Sequence, residues 1–210
     1  MATVKQACAW IGLPRSTYYR WKKQGLPTTP DSLVSRVQEL CQKHRFRYGY
    51  RKITSQKLVT DITYLPYGNT MMYLSSILDL YNGEVVAYSI GDKQDVQFVL
   101  DTLNQLPDVN GSMLHSDQGS VYTSNEYQKA IKEKGITMSM SRKGTPADNA
   151  LIESFHSTLK SETFYLENLT CTTTAIVIQT VQEYIHYYNS IRIQAKLNNQ
   201  SPIEYRQLAA

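Results

Sequence analysis

The sequence predicts an α/β domain, a sheet of five strands with helices on its faces, preceded by a small all-helical region. Three observations carry this. From Leu58 onward, β-branched and aromatic runs give way to helical apolar spacing in the order β-β-β-α-β-α-β-α. The text changes character abruptly at about Ser55, after two segments of helical periodicity. The charge divides at the same place. Residues 1–54 hold eleven Lys/Arg against two acids, a net of +9, and residues 55–210 hold eleven against sixteen, a net of −5. With 210 residues, 41% of them apolar, the chain can pack a core. The expected division is a basic helical region over residues 1–54 and an α/β domain over 55–210.

The head opens with "VKQACAWI", which puts Val4, Ala7, Cys8 and Ile11 on one helical face, and Gly12 breaks it. "LPRSTYYRWKKQG" restarts a helix at Pro14 and Ser16 and ends it at Gly25. Two short helices joined through a glycine form a helix-turn-helix candidate. Its second helix carries Arg15, Thr17, Tyr18, Arg20, Lys22 and Lys23, a face suited to phosphates and base edges. "GLPTTPD" has linker composition, and "DSLVSRVQELCQKHRF" repeats its apolar residues at helical spacing. "RFRYGYRKIT" then mixes Arg45, Arg47, Arg51 and Lys52 with aromatics. A basic head on an acidic body suits a polyanionic partner, DNA above all; a solvated basic surface accounts for the same charge, and both readings stand.

Three strands come next. "LVTDITYLPY" is followed by the turn signal Gly68-Asn69, "MMYLSSILDLY" by Asn82-Gly83, and "EVVAYSIG" completes an antiparallel meander. "DVQFVLDTLNQL" predicts a helix with Val96, Val99, Leu100, Leu103 and Leu106 inward. "SMLHSD" is a short strand. "TSNEYQKAIKEKG" is a helix with Thr123 and Glu126 at capping-box spacing and Gly135 after its end. "ITMSMS" is a strand, "TPADNALIESFHSTLKSETF" a helix opened by Thr-Pro, and Thr172–Asn189 a last long helix.

Several classes are excluded. There is no window of 18 apolar residues and no long apolar stretch at the N-terminus, so neither a membrane span nor a signal peptide is expected. Cys8, Cys41 and Cys171 are an odd, scattered set, which argues against a disulfide framework and a cysteine-rich zinc site and for a reducing cytoplasm.

The chemistry gathers in three acids. Asp61 lies in the first strand, Asp117 closes the fourth, and Glu153 sits on the helix after the fifth. If the first and fourth strands are neighbours, both aspartates approach one end of the sheet. On the Glu153 helix, Ile152, Phe155 and Leu159 make a core stripe, while Glu153, His156 and Lys160 share another face. Three carboxylates in one place need a cation, and hard oxygen ligands suit Mg²⁺ or Mn²⁺. Such ions can clamp the attacking and leaving oxygens of a phosphoryl transfer. His115, Asn149 and His156 are candidate supports. His115 either orients a ligand or packs in its strand, His156 either lines a DNA groove or is solvated, and Asn149 either positions its helix or touches DNA.

The motifs "TDITYL", "HSDQGSVYTS", "GTPADNALIESFHSTLKSE" and "YIHYYNSIRIQAKLNNQSPIEYR" resemble the catalytic part of bacterial insertion-sequence transposases. That family belongs to the retroviral-integrase superfamily, with a ribonuclease-H-like fold and an Asp-Asp-Glu triad. Thirty-five residues separate Asp117 from Glu153, which is the family's spacing. The resemblance covers about residues 56–208. It implies that Asp61, Asp117 and Glu153 hold two Mg²⁺ ions, with Mn²⁺ as a substitute. It further implies strand cleavage by water, then attack of a 3′-hydroxyl on target DNA. Lys160 matches a position that contacts DNA near the transferred end. Implied partners are the element's terminal repeats, target DNA, further copies of the chain on that DNA, and an upstream-frame protein of the same element. The implied location is the bacterial cytoplasm, at the nucleoid. One departure stands out. In the family the segment opened by "YGYRKIT" continues for several helical, basic turns, whereas here Thr54 leads almost at once into "SQKLVTDITYL", so the chain reads as internally shortened. Two other readings remain open on the residues: a DNA-binding remnant that inhibits transposition, and a structure-selective nuclease on the same fold.

Overall fold

The computed structural model describes residues 56–68, 70–107, 109–141, 149–165 and 173–208. These belong to the second of two compact units, Ser55–Ala210; the first is Met1–Thr54. The expected helix-turn-helix, with Arg15, Thr17, Tyr18, Arg20, Lys22 and Lys23, lies outside the described residues, as do Arg45, Arg47, Arg51 and Lys52. No helix among the described residues is long and apolar enough to cross a membrane.

Five strands form one mixed sheet in the order β3-β2-β1-β4-β5. They are β1 (Lys57–Tyr67), β2 (Thr70–Asp79), β3 (Val85–Gly91), β4 (Met113–Ser116) and β5 (Thr137–Met140). The first three pair antiparallel, as their short connections require. Gly68 and Gly83 take φ of 51° and 74° in those turns, values that a residue without Cβ adopts readily. β4 and β5 join as parallel strands, each reached through a helical crossover.

The first crossover carries α1 (Val96–Asn104), capped where Asp95 Oδ1 accepts from Phe98 N at 2.9 Å. Phe98 is buried there beside Val99 and Leu103, whereas Val96 and Leu100 are only half-buried. The second carries α2 (Asn125–Glu133). Its cap is Ser124, whose Oγ accepts from Tyr127 N at 3.3 Å, and not the expected Thr123. The Thr123 hydroxyl is occupied elsewhere, donating to the carbonyls of Gly119 and Ser120 in the preceding turn. α3 (Ala150–Leu159) runs into a π-helical turn, Lys160–Phe164, where an uninterrupted α-helix was expected. The Thr-Pro expected to open α3 lies outside the described residues. α4 (Thr174–Ser190) is capped by Thr173, and a short α5 (Pro202–Leu208) closes the chain.

The pleat assigns the faces. Val59 and Leu65 of β1, with Leu74 and Leu78 of β2, pack on Ile152, Phe155 and Leu159 of α3 and on Val177, Val181 and Ile185 of α4. Leu58, Ile77 and Leu114 turn the other way, onto Val99 and Leu103 of α1 and Tyr127 and Ile131 of α2. Odd-numbered positions of β1 between Val59 and Leu65, Asp61 among them, therefore face α3.

Candidate active site

β1 and β4 run parallel and pair Lys57 with Met113, Leu58 with Leu114 and Val59 with His115. Continued past the end of β4 at Ser116, the same offset sets Asp61 opposite Asp117. Neighbouring strands lie about 4.8 Å apart. The two aspartates thus meet at the carboxyl end of β4, the end of a parallel pair at which open α/β sheets place ligands. One Asp117 oxygen, Oδ1, accepts from Gly119 N at 2.8 Å, which holds the carboxylate against the tight turn after the strand. A single buried hydroxyl feels both acids. Burial drives the Tyr122 pKa well above the usual tyrosine range, a hydrogen bond with Thr60 opposes that, and the charges of Tyr127, Asp61 and Asp117 reinforce it.

α3 brings the third acid. Its core stripe fixes the helix on the sheet, and the adjoining stripe then meets β1 and β2. His156 is buried at 4% exposure. Its Nδ1 stands 3.5 Å from Asp61 Oδ2, and its Nε2 is 2.8 Å from Ser76 Oγ. Glu153, one turn earlier, is exposed. Residues three apart on a helix have Cβ atoms about 5–6 Å apart, so a glutamate side chain there has Asp61 within its reach. Among the described residues, no three His, Cys, Asp or Glu side chains yet close on a common point. The β1–β4 register directs Asp61 and Asp117 to the same end of the sheet, and α3 carries Glu153 one turn before His156. Carboxylate oxygens are the donors that fit a hard divalent cation, and Asp61, Asp117 and Glu153 are the residues that would supply them.

Lys160 continues the same stripe. Its Nζ donates to Thr63 Oγ1 at 3.1 Å and lies 4.3 Å from the centroid of the Tyr64 ring. This ammonium is anchored on β1, two residues beyond Asp61. The other candidate supports divide. His115 bridges strands, with Nδ1 3.0 Å from Ser139 Oγ and Nε2 3.0 Å from Ser141 Oγ. Both ring nitrogens are thereby engaged on β5 and its extension. Asn149 is buried at the start of α3 but makes no side-chain cap bond there, and its Oδ1 has no partner among the described residues.

Two contributors escape a reading of the sequence. Ser76 has a legible signal, a Ser-Ser pair inside the apolar run of β2, but the sequence does not say which serine faces α3. Tyr122 looks like one more core aromatic until the fold sets its hydroxyl 3.5 Å from Thr60 Oγ1, beside Asp61 in the chain.

Residues 52–146 match a family model described as "Integrase core domain", and residues 153–209 match a second model of the same description. The putative transposase InsK of insertion sequence element IS150 from Escherichia coli (strain K12) is 33% identical over 92% of this chain and 90% of its own length. That alignment runs over 256 positions, more than the 210 residues here, so the relative has residues without counterparts in this chain. An uncharacterized transposase-like protein of Haemophilus influenzae is 34% identical over 209 positions, 97% of this chain and 91% of its own. Among solved structures, the HTLV-2 integrase catalytic core domain in complex with magnesium superposes with a TM-score of 0.56 at 15% identity, covering 72% of this chain and 96% of that one. A simian T-cell lymphotropic virus intasome chain gives 0.62 at 19% identity, over 74% of this chain and 54% of that one. These two likenesses establish the ribonuclease-H-like integrase-core fold. With integrase-core models matching residues 52–146 and 153–209, and relatives a third identical along nearly their whole length, the chain belongs to the insertion-sequence transposases that carry an integrase catalytic core.

Proposed function

We propose that the chain cuts DNA strands at the ends of its element and joins the cut 3′ end to target DNA, with Asp61, Asp117 and Glu153 holding two divalent metal ions. The observation that carries this reading is the parallel pairing of β1 with β4, which directs Asp61 and Asp117 to one end of the sheet, with His156 of α3 lying 3.5 Å from Asp61 and one turn from Glu153. When bound, Mg²⁺ or Mn²⁺ supplies the positive charge that steadies the attacking and leaving oxygens of an in-line displacement. The residues of the chain do the rest. Asp61 and Asp117 present oxygens from a rigid sheet, and the Gly119 N–H fixes one oxygen of Asp117. Glu153 completes the ligand set from the helix. Lys160, held by Thr63 and Tyr64, offers a positive charge to a phosphate beside the reacting strand.

The basic residues of the head, Arg15, Arg20, Lys22, Lys23, Arg45, Arg47, Arg51 and Lys52 with Thr17 and Tyr18, supply the phosphate and base contacts that bind the element's ends. In this reading several copies assemble on the DNA, and an upstream-frame protein of the same element is a further partner. A qualification belongs to this reading: the basic unit opened by "YGYRKIT" runs at Thr54–Ser55 into the first strand, and a segment absent there would weaken end recognition.

Glu153→Gln tests the reading. It removes one charge and keeps the shape. The expected result is loss of metal-dependent nicking in both Mg²⁺ and Mn²⁺, with DNA binding within about twofold of the parent. Nicking at the parent rate would remove Glu153 from the site.

A further inference from the structure

Ser76, His156 and Asp61 form a chain that the proposed chemistry has not used. Ser76 lies opposite Asp61 in the β1–β2 register. It is wholly buried, at 0% exposure, and so has no route to a substrate. A serine, histidine and aspartate in line suggest an activated nucleophile, but a nucleophile must meet its target, and this hydroxyl sits under α3. The histidine is equally enclosed. What reaches the surface is the far end, Asp61, with 22% of its side chain exposed.

The polarity of the chain follows from the charges. Nδ1 faces a carboxylate oxygen at 3.5 Å, and a nitrogen lone pair in that place would be repelled. A proton on Nδ1 is attracted instead. In the neutral ring this leaves Nε2 as the acceptor, and the Ser76 hydroxyl donates to it at 2.8 Å. β2 is thereby linked to α3, and α3 to Asp61 on β1. Because Nδ1 lies nearest Oδ2, the other carboxylate oxygen, Oδ1, is left for a ligand.

We propose that His156 is a positioning residue for Asp61: held by Ser76, it turns the carboxylate so that one oxygen is free for the divalent cation, and it ties the helix bearing Glu153 to the strand bearing Asp61. The inference rests on the reading of Asp61 as a metal-holding group. It goes further in assigning a role to a histidine and a serine that touch neither metal nor DNA. Partners of this kind typically change metal affinity or activity by about 10- to 100-fold when lost.

The experiment compares the full chain with His156→Leu, His156→Asn, Ser76→Ala and Asp61→Asn. Mn²⁺ uptake is followed by the paramagnetic resonance signal of the free ion, and nicking is measured across Mg²⁺ concentrations. His156→Leu should weaken Mn²⁺ uptake and raise the Mg²⁺ requirement by about 10-fold or more. His156→Asn keeps a donor near the Nδ1 position and should recover most of the loss. Ser76→Ala should fall between the parent and His156→Leu. A long-range proton–nitrogen correlation on labelled histidine should find the His156 proton on Nδ1. Should His156→Leu fail to fold, His156→Asn, Ser76→Ala and the tautomer decide the matter. Parent-like Mn²⁺ uptake by His156→Leu overturns the inference, as do equal losses in the Leu and Asn variants, which mark a packing role. A proton on Nε2 alone overturns it too. If instead Asp61→Asn takes up Mn²⁺ as the parent does, the failure lies in the assignment of Asp61 itself.

Discussion

Gly119 has no side chain, and the Asp117 carboxylate occupies the place where one would stand: a Cβ built there meets Asp117 Oδ1 at 2.9 Å. The clash is with the mobile end of a side chain, so the fold can absorb it, but only by turning the carboxylate away. Gly119→Ala is expected to leave stability within about 0.5 kcal/mol of the parent. It is also expected to slow metal-dependent nicking by roughly 10- to 100-fold, since small displacements of reacting groups are costly. Thermal unfolding beside a nicking assay checks both halves. A second residue-level prediction concerns Glu162, which receives Arg192 Nη2 at 2.7 Å and the Tyr184 hydroxyl at 2.8 Å. The Arg192 hydrogen bond is the main cause that holds its carboxyl below the ordinary value of 4.5, against partial burial, with Tyr184 and the Arg192 charge helping. A depressed folded pKa gives stability that is present above about 4.5 and fades as the pH falls through the folded value. The difference in unfolding midpoint between the parent and Glu162→Gln should therefore be present at neutral pH and close below that value. A constant difference across the range would mean that the charge is not the cause. The Asp117–Gly119 contact is local to the "SDQGS" turn and so has a sequence signal, whereas the Glu162 contacts join residues 22 and 30 apart, whose approach only the fold decides.

At the scale of elements, α3 is the piece on which the site depends. It has Ile152, Phe155 and Leu159 at helical spacing, and all three are buried against β1, β2 and α4. Phe155 also meets the Tyr188 ring edge-on, with centroids 4.8 Å apart. Phe155→Ala should destabilise the domain by about 3–5 kcal/mol, seen as a lower denaturant midpoint with an unchanged slope. A cost below about 1 kcal/mol would mean that α3 is not seated as described. The stripe, the strands and the β-β-β-α-β-α-β-α order were legible because burial imposes a period of two or 3.6 on the text. That β1 and β4 are neighbours was only a condition in the sequence, and the fold meets it. What was not legible depends on competition between local partners. Thr123 and Ser124 are both good caps, and the turn before them claims Thr123. His156 reads as a polar residue beside a core stripe, yet it is buried with a serine hydroxyl at one ring nitrogen and a carboxylate at the other. The π-helical turn after Leu159 leaves no mark in composition that distinguishes it from one more α-helical turn.

At the scale of the whole molecule, the charge is unevenly spread: +9 on residues 1–54 and −5 on the rest. If the head supplies phosphate contacts, residues 56–210 alone should fold cooperatively yet bind duplex DNA far more weakly than the full chain, and binding by the full chain should fall steeply with salt. Equal affinities and equal salt slopes for the two would place the DNA contacts elsewhere. The relatives set the length in context. InsK has residues that this chain lacks, whereas the Haemophilus influenzae relative aligns over nearly the length seen here. Returning a family-like segment between Thr54 and Ser55 should therefore sharpen a footprint on the element's ends without altering the fold of the sheet. The central claim, however, is the metal-holding site, and it is tested most directly by anomalous scattering from Mn²⁺ introduced into crystals of the chain. The account predicts density between the carboxylates of Asp61 and Asp117, with the Glu153 side chain drawn toward it, and loss of that density in Asp117→Asn. Mn²⁺ found only at other acidic residues, under conditions in which the same protein nicks DNA, would contradict it.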